Sequence, residues 1–358
     1  MSKARLVAQL LAKRFMAEGR MTVIPQSIGS VEEGMQLASS RNKPNAWTET
    51  AAFAGLSVQA VGVEEGKAEP GVIIYATKGT AKSFKSLPKE IDEVRIVVRK
   101  IGLVSVNPDQ ANNATTEPKT HLRKERITCG SSCATAGGDA GTIGAVVKRL
   151  DDEKFFIMSN NHVLAGCNTI PLGMPILAPW PEDCRPDGCL PRSIARLAAV
   201  VALRVGDPQH VKPCEEDLAL GALLSPDLVS SWQGGDDGYD TPAEIAEPIS
   251  GMRVKKMGRT TGLTTAVVDT IVFDPTPIPC QTRDFKGNLW FKNIWYLLGS
   301  HSQFALPGDS GSLVVTEDGK KAVGVLFASS TKGDYGQMIP ISHALKELKV
   351  SLVSGHGL

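Results

Sequence analysis

The sequence has little that would direct the chain to a membrane or to nucleic acid. No run approaches the roughly 20 consecutive apolar residues that a membrane-spanning helix needs. Lys and Arg total 39 against 38 Asp and Glu, so a formal charge of +1 gives no bulk electrostatic basis for nucleic-acid binding. Residues 1–15 lack the uninterrupted apolar core of a secretory signal. We therefore expect no membrane span, no nucleic-acid partner and a cytoplasmic location.

Cysteine is scarce as well, and its number argues against a disulfide framework. Seven cysteines without a secretory signal leave at least one unpaired in a monomer, so reduced thiols are expected. The spacings between neighbouring cysteines lack the two-residue gap of a zinc knuckle, which disfavours a structural zinc site. The cysteines are Cys129, Cys133, Cys167, Cys184, Cys189, Cys214 and Cys280.

The N-terminus has an amphipathic pattern. Residues 1–15 place Leu6, Leu10 and Leu11 among Lys and Arg side chains. Apolar residues at this spacing can share one face of a helix. We predict a helix with these three leucines on one face, which packs on its own domain or on a partner protein rather than on a membrane.

The most informative segment is 306–315, LPGDSGSLVV. It places Ser310 beside an aspartate and between two glycines, just before an apolar strand. Gly308 and Gly311 leave the backbone free of side-chain obstruction, so the amides of Gly308 and Ser310 can point at one spot and stabilise an oxyanion. A short match of this kind also fits an ordinary surface turn. Other segments must therefore agree before Ser310 is assigned as a nucleophile.

Two upstream segments supply groups that could activate Ser310. An apolar strand that runs into the sequence SNNHV carries His162 as a candidate general base. A second apolar strand begins with Asp217, whose carboxylate could receive the other imidazole N–H. Glu215 and Glu216 compete with Asp217 for this role. The chain order His, Asp, Ser differs from the orders found in subtilisins and α/β-hydrolases.

From about residue 127 to the C-terminus, the sequence resembles the trypsin-like serine peptidases of the chymotrypsin fold. A short strand, AGTIGAVV, before the SNNHV turn resembles the HtrA-like pattern. The segments 258–264, GRTTGLT, and 308–315 resemble bacterial relatives of the plant narrow-leaf trypsin-like proteins. Ser312 stands where the digestive members have a glycine, and their disulfide pattern is not visible.

The resemblance implies a mainly β fold, a chymotrypsin-like double β-barrel, and a role for each motif. His162 is implied as the general base, Asp217 as its orienting acid and Ser310 as the nucleophile. The N–H groups of Gly308 and Ser310 are implied as the oxyanion hole. From its place beside Ser310, we expect the Asp309 carboxylate to brace the loop rather than to serve as the acid of the triad. The implied reaction is hydrolysis of a protein or peptide substrate through an acyl-enzyme on Ser310. No metal or organic cofactor is required.

The resemblance also implies where the primary specificity pocket lies. In this fold, the residue six before the nucleophile is at the base of the pocket, and here it is Phe304, followed by Ala305. Phe327, Ala328 and Ser329 are expected on the pocket wall. An acid that would select Lys or Arg is missing at the base. We predict a preference for apolar or small P1 side chains.

The pattern of strands and loops predicts a small N-terminal module, and the resemblance implies two barrels after it. A linker without an apolar period separates the module from the barrels. The predicted limits are 1–106 for an N-terminal helix and small α/β module, 107–126 for the linker, 127–225 for the first β-barrel, 226–250 for an interbarrel loop, and 251–358 for the second β-barrel and C-terminal helix.

The predicted function is therefore that of a regulated intracellular serine endopeptidase. Arg126 and Ile127 resemble a zymogen processing site, where a new Ile127 amine could pair with Asp309. Alternatively, Arg126 only ends a basic linker. The sequence leaves open whether the protein binds a regulatory protein partner or forms a homo-oligomer. The competing function is a peptidase-shaped binding scaffold that acts through its N-terminal module.

Overall fold

The computed structural model describes residues 1–23, 27–28, 56–80, 83–84, 87–106, 120–184, 190–300 and 303–358. Cys189 and most of the predicted linker, residues 107–119, lie outside these ranges. The elements of the N-terminal part are α1 Lys3–Ala17, β1 Ser27–Ile28, β2 Ser57–Val63, β3 Val72–Lys78, β4 Glu90–Ile91, β5 Val94–Lys100 and β6 Val104–Ser105.

The elements of the middle part are β7 Leu122–Arg123, β8 Arg126–Cys129, β9 Ser132–Thr135, β10 Gly141–Thr142, β11 Ala145–Arg149, β12 Phe155–Ser159, α2 Asn161–Leu164, β13 Pro175–Ala178, β14 Arg192–Val200 and β15 Ala219–Leu223. A 3-10 helix, Pro226–Leu228, then leads to β16 Val229–Gln233, β17 Tyr239–Asp240 and β18 Glu244–Ile245. The C-terminal part contains β19 Arg253–Gly258, β20 Gly262–Val272, β21 Thr276–Gln281, β22 Phe285–Phe291, β23 Ile294–Gly299, β24 Leu313–Thr316, β25 Lys321–Ser330, β26 Tyr335–Pro340, α3 Ile341–Leu348 and β27 Val350–Leu352.

Two barrel-like sheets confirm the mainly β fold expected from the sequence. The first is an eight-stranded sheet in the order β10-β9-β13-β14-β15-β12-β11-β27. In the second, strands β19, β24, β25, β26, β23 and β20 follow one another, and β20 pairs again with β19, so this barrel is closed. Closure removes the free strand edges that an open sheet would expose.

The N-terminal strands continue the sheet of the second barrel. Strand β2 pairs antiparallel with β3, which pairs parallel with β5. At its end, β2 also pairs with β20 through Val63 and Ile271. At the other end of the chain, β27 pairs with β11 of the first sheet. Both chain ends are thus attached to barrels, and the predicted domain limits stay a prediction.

Helix α1 packs on the N-terminal strands with a face that differs from the predicted one. Leu11 is buried, but Leu6 and Leu10 are 45% and 51% exposed, so the predicted leucine face is wrong. The helix contacts β2, β3 and β5. Small alanines let it approach the sheet closely, and its buried residues recur at helical spacing. They are Ala4, Val7, Ala8, Leu11, Ala12 and Phe15.

One apolar cluster joins the two barrels. It combines Met158 and Leu220 of the first sheet with Leu313 and Val325 of the second, and all four are buried. Removing this area from water favours association of the barrels at about 25 cal/mol per Å². The cluster thereby holds the end of β12 near the start of β24, where the sequence places His162 and Ser310. None of the helices in the described ranges is long and apolar enough to span a bilayer.

Candidate active site

His162 lies at the start of α2, just after strand β12 ends. Its Nδ1 is 2.5 Å from Asp217 Oδ2, and its backbone N–H donates to Asp217 Oδ1 at 3.1 Å. The Asn160 side-chain amide donates to the carbonyl oxygen of Asp217 at 2.6 Å. The side chains of His162 and Asp217 are fully buried. Because an ionised carboxylate only accepts, this arrangement places the hydrogen of a neutral imidazole on Nδ1 and leaves Nε2 as an acceptor.

The two competing acids point elsewhere. Glu215 accepts from the Asn293 side chain at 2.7 Å and pairs with Lys292 at 3.2 Å. Burial raises the pKa of Glu216, and the neighbouring charge of Glu347 acts in the same direction. Neither acid hydrogen-bonds to the imidazole of His162 in the part of the chain that the structure describes. Asp217 is therefore the acid that orients it.

The Ser310 loop depends on two glycines. Gly308 and Gly311 have φ values of +95° and +97°, a region that residues with a side chain rarely adopt. A Cβ atom on Gly311 would lie 2.2 Å from Ser159 Oγ and 2.4 Å from the Thr142 carbonyl oxygen. Glycine at position 311 is thus required both by backbone conformation and by the close approach of the first barrel.

Contacts with the first barrel hold the Ser310 loop at the end of β12. The Thr142 amide donates to the Ser310 carbonyl at 2.8 Å, and the Thr142 hydroxyl donates to the Gly308 carbonyl at 2.9 Å. The Ser159 hydroxyl in turn donates to the Thr142 carbonyl at 2.8 Å. Ser159 is the last residue of β12, three positions before His162. Thr142 therefore links the Ser310 backbone to the strand end that carries His162.

The Ser310 hydroxyl and His162 Nε2 do not hydrogen-bond to each other in this structure. The hydroxyl donates to the Phe327 carbonyl at 3.3 Å. Nε2 of His162 is buried and has no hydrogen-bond partner among the described residues. The structure therefore brings His162 and Asp217 together, places the Ser310 loop beside them, and leaves the acceptor nitrogen unused.

Within the described ranges, the backbone amides of Gly308 and Ser310 donate no hydrogen bond. By contrast, the amides of Asp309, Gly311 and Ser312 donate to backbone carbonyls at 3.0, 2.9 and 3.1 Å. The two amides predicted to form an oxyanion hole are thus the two in this loop that lack an acceptor.

Asp309 braces the loop from inside the second barrel, as its sequence position predicted. Its Oδ1 accepts from the amides of Thr260 and Thr261 at 2.8 and 3.1 Å, and its Oδ2 accepts from the Thr261 hydroxyl and the Leu306 amide at 2.8 and 2.9 Å. The ammonium of Lys256 lies 3.3 Å from Oδ2, and both charged groups are fully buried. This carboxylate ties the GRTTG turn to the residue beside Ser310.

The cation that pairs with Asp309 in this structure is Lys256. Ile127 is buried in β8, opposite Val229 of β16, so its backbone is part of a sheet. The proposed amine of a cleaved Ile127 would have to displace an existing cation. In the uncleaved chain, therefore, Asp309 already has its cationic partner, and the sequence alone did not identify it.

The predicted pocket residues are mostly buried. Phe304 packs inside the second barrel with Val254 and Met338. Phe327 belongs to a different buried cluster, where its ring lies 4.8 Å from the Phe291 ring. The pocket and its P1 preference stay predictions. Ala305 and Ala328 are buried, and Ser329 is half-buried.

Five site residues were missed by the sequence reasoning. Four of them lie in the segments AGTIGAVV, SNNHV and GRTTGLT, which carry the family resemblance, but their side-chain types are common and the resemblance gave them no role. The fifth, Lys256, follows Lys255 in the same strand. They are Thr142, Ser159, Asn160, Lys256 and Thr260, all buried.

The six cysteines in the described ranges are buried, and five of them, Cys129, Cys133, Cys167, Cys214 and Cys280, are free thiols. Burial raises the pKa of Cys129 and of Cys133 to about 12. No group of three or more His, Cys, Asp and Glu side chains in the described part of the chain could hold a metal ion.

Comparison with known proteins relates the chain to serine proteases by structure. No protein-family model and no curated protein matches it. Protease A of Thermobifida fusca is similar with a TM-score of 0.44 and 16% identity, over 64% of this chain and 98% of that protease. Nocardiopsis protease is similar with a TM-score of 0.43 and 16% identity, over 62% and 95% of the two chains. For Cellulomonas bogoriensis chymotrypsin the TM-score is 0.43 and the identity 13%, over 63% and 98%. The HtrA-like pattern and the plant relatives stay predictions.

Proposed function

We propose that this chain is a serine endopeptidase that hydrolyses peptide bonds through an acyl-enzyme on Ser310. One observation carries the proposal. A buried imidazole, held by the buried carboxylate of Asp217, lies at a strand end that Thr142 links to a serine loop with two unused amides. A carboxylate, an imidazole with a free acceptor nitrogen, a hydroxyl and an amide pair are the groups that acyl transfer needs.

In the proposed mechanism, the Ser310 hydroxyl leaves the Phe327 carbonyl and attacks the scissile carbonyl carbon. Its proton passes to His162 Nε2, and Asp217 stabilises the imidazolium that forms. The amides of Gly308 and Ser310 donate to the oxyanion. His162 then gives the proton to the leaving amine, and the C–N bond breaks. Water, deprotonated by His162, attacks the acyl carbon. The bond to Ser310 Oγ then breaks, His162 returns the proton to that oxygen, and the acid leaves.

Labelling with a fluorophosphonate probe, combined with hydrolysis of a fluorogenic peptide library, tests the proposal. We expect the wild-type protein to be labelled once, and Ser310→Ala to abolish labelling. Ser310→Ala and His162→Ala should each lower kcat by roughly 10⁶. Ser354→Ala, which removes an exposed hydroxyl bonded to Asp240, is the matched control and should keep full activity. A wild-type protein with neither labelling nor turnover would favour the scaffold.

We propose that P1 is an apolar or small side chain. The support is that no acidic side chain is among the residues predicted to surround the pocket, Phe304, Ala305, Phe327, Ala328 and Ser329. Dominant cleavage after Arg or Lys in the peptide library would contradict this specificity.

We propose that the N-terminal module regulates the site through β6. This strand pairs antiparallel with β25 at Ser329 and Ser330, and the amide of Thr331 donates to the Leu103 carbonyl at 2.9 Å. The same strand carries the Phe327 carbonyl that receives the Ser310 hydroxyl. An extended peptide that approached the nucleophile along this strand edge would compete with β6 for backbone hydrogen bonds.

Ser105→Pro tests this competition, because proline removes the backbone donor of the residue opposite Ser329. Loss of one or two net hydrogen bonds should raise kcat/KM roughly tenfold. Circular dichroism and thermal unfolding must show that the variant is folded. A folded variant with unchanged or lower kcat/KM would contradict control by β6.

A cytoplasmic location, and a regulatory partner or homo-oligomer, are proposals that depend on the sequence. Fractionation of expressing cells tests the location. Size-exclusion chromatography with light scattering tests the oligomeric state, and a monomer across the accessible concentration range would exclude the homo-oligomer.

A further inference from the structure

We infer that the hydroxyls of Thr260 and Ser312 aim the two oxyanion-hole amides, each by holding the carbonyl group of the same peptide unit. The inference rests on the proposed function, because it assumes that the amides of Gly308 and Ser310 stabilise the oxyanion. It goes beyond that function by naming two positioning residues that act through the backbone.

The first amide is aimed through the peptide unit that joins Pro307 to Gly308. In a planar trans peptide, the C=O and N–H groups point in opposite directions. The Thr260 hydroxyl donates to the Pro307 carbonyl at 2.7 Å, so the Gly308 N–H points away from Thr260. The same hydroxyl oxygen accepts from the guanidinium of Arg259 at 3.1 Å, which directs its hydrogen towards Pro307. Thr260 is fully buried, and water does not compete for this bond.

The second amide is aimed through the peptide unit that joins Asp309 to Ser310. The Ser312 hydroxyl donates to the Asp309 carbonyl at 2.5 Å, and the Ser312 amide donates to the same oxygen at 3.1 Å. The N–H of Ser310 therefore points to the opposite side. Ser312 is fully buried. A glycine at position 312 could supply the amide bond but not the hydroxyl bond.

The first restraint acts where the backbone is intrinsically permissive. Gly308, at φ +95°, offers little steric resistance to rotation of the peptide unit before it. Rotation would turn the Pro307 carbonyl towards the oxyanion position and the Gly308 amide away from it. The Thr142 hydroxyl holds the intervening carbonyl, that of Gly308, at 2.9 Å. Three successive carbonyls are thus fixed by three hydroxyls, and two of those carbonyls belong to the amides of the proposed oxyanion hole.

Thr260→Val and Ser312→Ala remove one hydroxyl each and leave the amides in place. Deleting an oxyanion donor lowers kcat by about 10²–10³, so misaiming one donor should lower kcat by about 10–100-fold. KM should change less than about threefold, because the ground-state carbonyl is not yet an oxyanion. Thr260→Ser keeps the hydroxyl and should retain kcat within about threefold of wild type. Should Thr260→Val fail to fold, Ser312→Ala carries the test.

Thr128→Val is the matched control. Its hydroxyl donates to the Gly234 carbonyl at 2.9 Å in an equally buried place away from the nucleophile loop. The control should lose thermal stability comparable to Thr260→Val and keep kcat. If the wild-type protein is active and labelled but Thr260→Val and Ser312→Ala keep the kcat of the control, the inference is overturned and the proposed function stands. A wild-type protein without labelling or turnover overturns both.

Discussion

Lys256 carries a positive charge into the interior, beside the nucleophile loop. Its ammonium is 3.3 Å from Asp309 Oδ2 and also donates to the Thr261 hydroxyl and the Gly262 carbonyl. Burial lowers the pKa of Lys256, and the Asp309 carboxylate opposes this by favouring the charged form. Lys256→Met keeps an unbranched apolar stem but removes the cation. The carboxylate of Asp309 would then remain buried without a counter-charge.

The contacts of Asp309 indicate how much stability Lys256→Met should lose. Removing one partner of a buried ion pair costs about 3–5 kcal/mol. Asp309 would keep four hydrogen bonds from Thr260, Thr261 and Leu306. We therefore expect the free energy of unfolding to fall by about 3 kcal/mol, at the lower end of that range. Because Asp309 adjoins Ser310, kcat should fall as well.

Urea denaturation followed by circular dichroism measures the change. Lys255→Met is the matched control, because the Lys255 side chain is only half-buried, against the Tyr239 ring. This substitution should lower the free energy of unfolding by less than about 1 kcal/mol. Adding Asp309→Asn to Lys256→Met should restore at least about 1 kcal/mol of the lost free energy of unfolding, because it removes the unpaired charge. The reasoning is refuted if Lys256→Met is as stable as the control, or if the two substitutions simply add.

Three further outcomes follow from the site. Gly311→Ala, which forces a side chain onto φ +97°, should destabilise the fold by about 2 kcal/mol and abolish labelling of folded protein; normal labelling would contradict the close packing. Asp217→Asn should lower kcat by about 10⁴, whereas Glu216→Gln should change it less than about threefold in the same peptide assay. Since the pKa of Cys129 and of Cys133 is about 12, both should resist Ellman's reagent at pH 8 until the protein is unfolded.

The choice of acid shows where sequence reasoning reached its limit. Glu215, Glu216 and Asp217 are consecutive, and all three types can orient an imidazole. Only the packing of α2 against β15 decides among them, because Asp217 alone reaches both the ring and the backbone of His162. Glu215 is drawn to Lys292 instead. The side chains of consecutive residues point in different directions, and only the tertiary contacts show which of the three faces His162.

The sequence also did not determine which partners the buried apolar residues contact. The leucines of α1 predict one packing face, but the helix packs on the sheet with its alanine-rich side, where it can approach more closely. Phe304 and Phe327 each fill a separate buried cluster, which their shared apolar character does not reveal. Apolar character predicts that a residue is buried and does not say against which partner.

The sequence by itself determined the candidate nucleophile and base and limited the acid to three consecutive residues, because these assignments depend on residue types at fixed places relative to strands and glycines. The mainly β fold followed from the resemblance that these motifs carry. Only the tertiary structure showed that Lys256 pairs with Asp309, that hydroxyls of Thr260 and Ser312 restrain the nucleophile loop, and that β6 lies on β25. These contacts join segments far apart in the chain, and their geometry arises when the barrels close and pack.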